Sequence, residues 1–289
     1  ILLANDSIPE YLFHNKGNGT FEEVGLPSGA ALDGNGTAFA GMGVDFEDYN
    51  NDGWPDIVIT DLANQRYALY TNLKDGTFDY ATPVSGLGAI SLLHSGWGVR
   101  FFDYDNDGWK DLLIAQSHVM DTIQTNEPSL HYKESPLLLH NQQGKTFVDV
   151  SAMSGDVFHQ QWAARGLAIG DLNNDGKLDA VISSVNGPAW VLLNETETLN
   201  HWITLNVIGT RSNRDAIGAQ VKISTAAGDQ FAMVTTCSSY QSSSDKRLHF
   251  GLGSADIVRD IEIRWPSGVR QLIKDVKGDQ ILTVKEESK

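Results

Sequence analysis

An aspartate-rich motif occurs three times in this 289-residue sequence, each time inside a longer repeat. The repeats read GMGVDFEDYNNDGWPDIVIT from residue 41, GWGVRFFDYDNDGWKDLLIA from residue 96 and RGLAIGDLNNDGKLDAVIS from residue 165. The motifs start at Asp48, Asp103 and Asp171, so they are separated by 55 and 68 residues. Periods of this size are typical of solenoids and propellers, in which each repeat buries its apolar face against the next one.

The residues around the motif indicate β-strands. Val44 and Phe46 alternate with polar residues before the first motif, and a short apolar run, Ile57-Val58-Ile59, follows it. A further strand then leads into an Asn/Gly turn, and a last strand begins at a Phe such as Phe78. Four strands in roughly 55–60 residues predict a propeller blade.

The start of the chain matches the second half of such a repeat, because Ile1 aligns with Ile57 and Asn15 with Asn72. We therefore interpret residues 1–40 as a partial blade. We expect the chain to be a fragment cut within a repeat, with upstream blades of the same protein as missing partners, although a natural half-blade start is the alternative.

The motif reads D-x-[DN]-x-D-G-x-x-D and places oxygen-bearing side chains at alternate positions of a turn. Such oxygens can surround one side of a large hard cation, and the glycine allows a sharp turn that brings the next carbonyl inward. We predict about three Ca²⁺ sites, at residues 48–56, 103–111 and 171–179. The predicted ligands, which include the backbone carbonyl of the seventh position, are Asp48, Asn50, Asp52, Trp54 and Asp56; Asp103, Asp105, Asp107, Trp109 and Asp111; and Asp171, Asn173, Asp175, Lys177 and Asp179.

Three alternatives fit the motif less well than calcium loops do. An EF-hand shares the first six positions but requires a glutamate at position 12 and flanking helices, whereas position 12 here is Ile59, Ile114 or Ile182. Acidic turns without metal would crowd unneutralised carboxylates together in three places. Mg²⁺ suits a cage made of many protein ligands less well than Ca²⁺ does.

Charge and cysteine content restrict the partners and the compartment. The formal net charge is −16, so the surface repels nucleic acid, and ten aspartates of the motifs account for much of that acidity. The sequence has no run of 18 apolar residues, so we expect no membrane insertion. Cys237 is the single cysteine, which by itself fits a reducing compartment, but weak calcium loops fill where calcium is millimolar. We therefore predict a secreted, periplasmic or cell-surface protein.

Two families share these motifs. The repeats resemble the FG-GAP or VCBS repeat family, the calcium-loop blades also seen in integrin α-subunits. The segments NHWITLNVIGTRSNRDAIGAQV from residue 200, LHFGLG from residue 248 and IEIRWPSG from residue 261 resemble the ASPIC/UnbV domain found in the cartilage acidic protein-like family and its bacterial relatives. The resemblance implies part of a roughly seven-bladed propeller, calcium loops in the strand 1–2 turns and an extracellular or periplasmic location, but no reaction.

The fold expected from this reading is all-β. Residues 1–196 form a partial β-propeller of four-stranded FG-GAP blades with calcium-binding loops, and residues 197–289 form the ASPIC/UnbV domain. The tail has runs of β-forming residues at 202–208, 220–224, 230–235, 257–264 and 280–284, which predict a small β-sandwich-like domain packed on the last blade. The polar stretch 238–244 is interpreted as a loop.

Aromatic, histidine and arginine residues are expected to converge on the face opposite the calcium loops. This face could bind a sugar or an acidic ligand. Alternatively, the tryptophans fill gaps between blades and the histidines are solvated. The candidate ligand-binding residues are His94, Trp97, His118, His131, His159, Trp162 and Arg165.

The function predicted from these features is a calcium-binding extracellular or periplasmic binding or adhesion module, with a protein or glycan ligand that the sequence does not identify. A carbohydrate-binding, lectin-like propeller is the first alternative. An enzyme of the lyase or cyclase type that uses the histidine face is the second. No catalytic residue is assigned, because the sequence has no Gly-x-Ser-x-Gly elbow and no cysteine paired with an evident histidine.

Overall fold

The computed structural model describes residues 1–287, and this part of the chain is almost entirely β, with 7% helix. Its helices are single turns, α1 (Gly25–Ser28), α2 (Leu87–Ile90) and α3 (Ile123–Asn126), and none of the described helices has the length and apolarity needed to cross a bilayer. The strands are β1 (Leu2–Leu3), β2 (Tyr11–Asn15), β3 (Phe21–Glu23), β4 (Val44–Glu47), β5 (Asp56–Ile59), β6 (Ala68–Asn72), β7 (Phe78–Tyr80), β8 (Gly96–Phe102), β9 (Asp111–Gln116), β10 (Leu137–Asn141), β11 (Phe147–Asp149), β12 (Ala164–Gly170), β13 (Asp179–Ser184), β14 (Trp190–Leu192), β15 (His201–Ile208), β16 (Gln220–Ser224), β17 (Asp229–Met233), β18 (Leu248–Gly253), β19 (Ile257–Arg264), β20 (Arg270–Lys277) and β21 (Gln280–Lys285).

The repeats form antiparallel meanders. Strands β1–β3 make an N-terminal sheet, β4–β7 a first blade, β8–β11 a second blade and β12–β14 a third blade. The all-β partial propeller expected from the sequence is confirmed. The third blade differs from the expected four strands, since its sheet has three in the described chain. The reason is local: after Asn194 the sequence runs ETETLN and lacks the glycine turn and the phenylalanine that precede and start the fourth strand in the other two repeats.

Apolar side chains from neighbouring sheets meet face to face. One cluster, which includes Val58, Leu69 and Phe101, lies between the first and second blades. Similar clusters join the second blade to the third and the N-terminal sheet to the first. The short inner runs such as Ile57–Ile59 are fully buried because sheets cover both of their faces. Burial between sheets therefore stabilises the blades.

The first strands of the blades approach each other unusually closely. A Cβ at Gly43 would overlap the carbonyl oxygen of Trp97, and a Cβ at Gly98 would lie 2.8 Å from the carbonyl oxygen of Arg165. Register shifts in β8 and β12 fall at Trp97 and Arg165, so both residues sit in bulges that redirect their side chains. Glycine at these positions lets the first strands of neighbouring blades pack closely against each other.

The tail forms a two-layer sandwich. One layer has the strand order β18-β15-β21, with β15 and β21 parallel, and the other has the order β17-β16-β19-β20. Buried residues of both layers, among them Leu205, Phe250 and Trp265, form one core. Strands β18 and β20 were not among the strands predicted from the sequence. The boundary proposed between residues 196 and 197 stays a prediction.

The tail contacts more of the repeat region than its last blade. Phe231 lies against Gly53 of the first loop, and Trp202 lies against Gly176 of the third. The Gln230 side chain is close to Gly108 of the second loop. The tail was expected to pack on the last blade, and in the structure it contacts the third loop and also the first two loops.

The polar stretch interpreted as a loop runs along the inner strands of the blades. Ser239 pairs with Val44 of the first blade, and its hydroxyl accepts a hydrogen bond from the Val99 N–H of the second blade at 3.1 Å. In the third blade, the Ile169 N–H donates to Ser244 Oγ at 3.0 Å. This segment of the tail therefore bonds to backbone groups on the first strands of all three blades.

Candidate metal-binding loops

The first aspartate of each loop is oriented by two backbone N–H groups of the same turn. In the first loop, the Asp52 N–H donates to Asp48 Oδ1 at 3.0 Å and the Gly53 N–H donates to Asp48 Oδ2 at 2.8 Å. Asp103 and Asp171 accept the equivalent pairs at distances between 2.8 and 3.1 Å. These bonds close the turn and hold the carboxylate in place.

The last aspartate of each loop links the turn to the third strand of its blade. Asp56 Oδ2 accepts the Tyr49 N–H at 3.3 Å, and Asp56 Oδ1 accepts the Asn72 N–H at 2.8 Å. Asp111 and Asp179 make the same two bonds in their own blades. All three carboxylates are buried, so the fold places a carboxyl group at the base of every loop.

Neighbouring loops are joined by an asparagine that the sequence analysis did not single out. It occupies the fourth position of the motif. The Asn51 amide donates to the Gly108 carbonyl at 2.9 Å, and the Asn106 amide donates to the Gly176 carbonyl at 2.9 Å. Each loop is thus hydrogen-bonded to the loop of the next blade.

The third loop makes the corresponding connection to the tail. Arg247 donates from one guanidinium nitrogen to Asn174 Oδ1 at 2.6 Å and from the other to the Asp171 carbonyl at 2.7 Å. The asparagines of the three loops have φ values of 57°, 60° and 60°. Asparagine tolerates this left-handed region better than most residues, which is the signal in the sequence that could have identified the position.

The second loop gathers the most carboxylates. Ligand atoms of Asp103, Asp105 and Asp107 lie within 4.8 Å of one another, and those of Asp105, Asp111 and His140 form an overlapping group. His140 Nδ1 lies 3.1 Å from Asp111 Oδ1 and was not among the predicted ligands. The predicted oxygens therefore do converge in this loop.

The electrostatics of the loops favour a bound cation. Burial raises the pKa of Asp56 to about 8. Burial, followed by the repulsion of Asp111, raises the pKa of Asp103 well above its ordinary value. Carboxylates in such surroundings bind either protons or a metal. An all-oxygen set from one loop fits a hard cation, and the residues present would hold it without other groups.

The tail contributes a titratable contact to the second loop. His249 Nε2 lies 2.7 Å from Asn106 Oδ1, and His249 Nδ1 lies 2.9 Å from Thr204 Oγ1. Burial lowers the pKa of His249 to about 4. The folded state therefore disfavours the charged imidazole relative to the unfolded chain.

We expect low pH to destabilise the folded protein through protonation of His249. The folded pKa is depressed, so the contribution is complete above the unfolded value of about 6.5 and is lost as the pH falls towards about 4. The contribution of His249 to the free energy of unfolding should fall by about 3 kcal/mol over this range, and His249→Gln should remove that part of the pH dependence. Urea denaturation between pH 7 and 4 measures the effect. His14 is exposed, so the control variant His14→Gln should keep the wild-type dependence of the unfolding free energy on pH.

On the opposite face the structure brings together part of the predicted ligand-binding set. The Arg165 guanidinium lies 4.1 Å over the Trp97 ring, and the Tyr240 ring of the tail packs edge-on against Trp97. Arg165 Nη2 also reaches the carbonyl of His118, which is buried. Three of the predicted residues therefore lie together, next to Tyr240 of the tail.

The other predicted residues of that face have separate surroundings. His94 Nδ1 lies 2.9 Å from the carboxylate of the largely buried Glu134. His131 is exposed and contacts Gln124, and His159 is exposed in the 3₁₀ turn at Asp156–His159. Their role in binding a ligand stays a prediction.

Trp162 is 6% exposed and stacks on Trp190, with ring centroids 4.2 Å apart. We expect Trp162→Ala to lower the free energy of unfolding by about 3 kcal/mol, because removal of the ring creates a cavity next to Trp190. Chemical denaturation measures this loss. The conservative change Trp162→Phe should lose less than half as much, and equal losses would show that ring packing is not the cause.

Comparison with known families agrees with the geometry of both regions. The family model described as FG-GAP-like repeat matches residues 1–59 and 48–114. The model described as ASPIC and UnbV matches residues 209–289. The chain therefore carries FG-GAP-like repeats followed by an ASPIC and UnbV domain, as its motifs predicted.

The chain is also homologous to cartilage acidic protein 1. It is 26% identical over 294 residues to the Mus musculus protein, a match that covers 99% of this chain and 42% of the relative. It is 27% identical over 276 residues to the Homo sapiens protein, covering 93% of this chain and 39% of the relative. The chain thus spans about two fifths of the length of these relatives.

A solved structure of an Agrocybe aegerita lectin, described as recognising non-reducing terminal N-acetylglucosamine, also aligns. The alignment covers 67% of this chain and 48% of the lectin, with 16% identity and a TM-score of 0.31. A similarity this low supports no conclusion about fold or ligand.

Proposed function

We propose that this chain is a calcium-stabilised binding module of adhesion type that works outside the cytoplasm, and that each of its three aspartate loops holds one Ca²⁺. The main support for this proposal is that the same arrangement of oxygen ligands occurs in all three loops. Asp48, Asp103 and Asp171 are oriented by equivalent backbone bonds, and each lies near a second buried aspartate at the base of its loop. Carboxylate and carbonyl oxygens on a turn are the ligands that calcium prefers.

The proposed role of calcium is structural. Each loop is hydrogen-bonded to the next, and the third loop is hydrogen-bonded to Arg247 of the tail. Neutralising the loops would therefore stabilise the row of blades and the sandwich that covers it. No residue of the three loops is left to act as a catalytic acid or base in this proposal.

The proposed location follows from the affinity expected of such loops. Short loops of this kind fill where calcium is millimolar, outside the cytoplasm. The relatives are named for cartilage, which is consistent with a secreted or cell-surface protein. The binding partner would be a protein or a glycan, and the upstream part of the longer protein would add further blades.

Isothermal titration with Ca²⁺ tests the proposal, using one variant for each loop: Asp52→Asn, Asp107→Asn and Asp175→Asn. Each change should remove one bound Ca²⁺, because the fifth position loses a charged ligand while its amide oxygen keeps the backbone contact. The matched control is Asp75→Asn, since Asp75 lies in an exposed hairpin turn of the first blade. Unchanged stoichiometry in all three loop variants would refute the proposal.

The second candidate function is carbohydrate binding at the opposite face. It is supported by the partly exposed Trp97 ring with Arg165 stacked over it, a combination suited to an acidic sugar. A glycan array with the wild type and Trp97→Ala separates the two candidates. Loss of a specific glycan signal in the variant, with unchanged stability, would favour the lectin-like function. Absence of any signal in the wild type would exclude it for the glycans tested.

A further inference from the structure

Two buried carboxylates lie against the same dipeptide, Ala40-Gly41, at the joint between the N-terminal sheet and the first blade and far from the aspartate loops. Glu10 precedes strand β2 and is 1% exposed, and Asp61 follows strand β5 and is fully buried. Asp61 lies five residues beyond Asp56, which is about 16 Å along an extended strand. The pair is therefore separate from the loop at the other end of the blade.

Both carboxylates flank the same dipeptide, Ala40-Gly41. Asp61 Oδ1 accepts the Ala40 N–H at 3.1 Å. A side chain at Gly41 would overlap Glu10 Oε1, so this oxygen lies directly against the Gly41 backbone. The Gln65 amide oxygen accepts the same Ala40 N–H at 2.8 Å and adds a third side-chain oxygen to the cluster.

Each carboxylate has one oxygen without a partner among the described residues. These atoms are Glu10 Oε1 and Asp61 Oδ2, both inaccessible to solvent. Their other oxygens are used, since Glu10 Oε2 accepts the Asn5 N–H and Asp61 Oδ1 accepts the Leu62 N–H. A buried carboxylate oxygen without a donor is costly unless a cation or a proton neutralises it.

The surrounding charge is negative. Repulsion from Asp33 and Asp6 adds to burial in raising the pKa of Asp61 to about 7. Repulsion from Asp61 acts in the same direction on Glu10. The hydrogen bonds that Glu10 and Asp61 accept come from backbone N–H groups, which carry no full charge to offset them. A hard divalent cation would neutralise both carboxylates at once.

We propose that Glu10 Oε1 and Asp61 Oδ2 hold a fourth Ca²⁺, with Gln65 Oε1 beside it, which clamps the N-terminal sheet onto the first blade. The site draws on three chain segments, around residues 5–10, 40–41 and 61–65, so its cation would join elements that are distant in sequence. It is independent of the three loops and of their proposed role.

Counting bound Ca²⁺ in the whole protein by native mass spectrometry tests the proposal. Asp61→Asn and Glu10→Gln should each bind one Ca²⁺ fewer than the wild type. Asp107→Asn should also bind one fewer, but the ion that it loses is the one in the second loop. The control Glu127→Gln changes an exposed carboxylate and should bind as many ions as the wild type. An unchanged count in folded Asp61→Asn and Glu10→Gln would overturn the proposal and indicate a proton shared by the two carboxylates.

Crystals of the wild type grown with Mn²⁺ give a test that needs no variant to fold. Anomalous density between Glu10 and Asp61 supports the fourth site, even if the three loops are empty and the proposed function fails. Filled loops with no density at this position overturn the fourth site and leave the proposed function standing. Absence of density at all four positions overturns both.

Discussion

Removing calcium should lower the melting temperature of this protein by about 15 °C or more. A ligand at 100 times its dissociation constant stabilises the native state by about 2.7 kcal/mol, so three filled loops contribute about 8 kcal/mol. Each kcal/mol changes the melting temperature of a chain of this size by about 2–4 °C. The effect is large because the buried carboxylates at the loops repel one another once the cation has left.

Thermal unfolding followed by circular dichroism, in calcium at about 100 times the dissociation constant found by titration and in excess EGTA, measures this difference. The triple variant Asp52→Asn, Asp107→Asn, Asp175→Asn should melt at nearly the same temperature in both buffers. Excess Mg²⁺ should restore little of the lost stability. Equal melting temperatures of the wild type with and without calcium would contradict the prediction.

The second large effect is expected from a single methyl group at Gly43. The alanine Cβ of Gly43→Ala would overlap the Trp97 carbonyl oxygen, which also accepts a hydrogen bond from Thr60 Oγ1 at 2.8 Å. The first two blades would have to separate at their inner strands, and the loss in unfolding free energy should be about 4 kcal/mol or more.

Urea denaturation in saturating calcium measures this loss without interference from metal binding. Gly187→Ala is the matched control, because Gly187 is exposed and its nearest neighbour would lie 3.3 Å from the new Cβ. That variant should remain within about 0.5 kcal/mol of the wild type. A Gly43→Ala protein of wild-type stability would show that the inner strands can move apart freely.

Local patterns were sufficient to predict the blades. The alternation at Val44 and Phe46 and the apolar run at Ile57–Ile59 correspond to strands β4 and β5, which pair as expected. The absence of a fourth strand in the third blade could also be predicted, because the Phe that begins this strand in the other repeats is missing. These features depend on residues close together in the chain, so sequence reasoning reaches them.

The loops were predicted residue by residue, but their connections were not. The contacts from Asn51 to Gly108 and from Asn106 to Gly176 join residues 57 and 70 positions apart. The Glu10–Asp61 pair likewise joins different sheets. Such contacts depend on how the blades stack, and a single sequence carries no direct record of that arrangement.

The sequence by itself determined that the chain repeats, that its repeats are β-meanders and that each carries a turn rich in oxygen ligands, because strand period and turn chemistry are local properties. The tertiary structure alone decided that the tail contacts all three loops, that residues 238–245 lie along the first strands of the blades, and that Glu10 and Asp61 are buried against the same dipeptide, Ala40-Gly41. These outcomes depend on burial and on unpaired backbone groups finding partners across long separations, and only the packed fold brings such groups together.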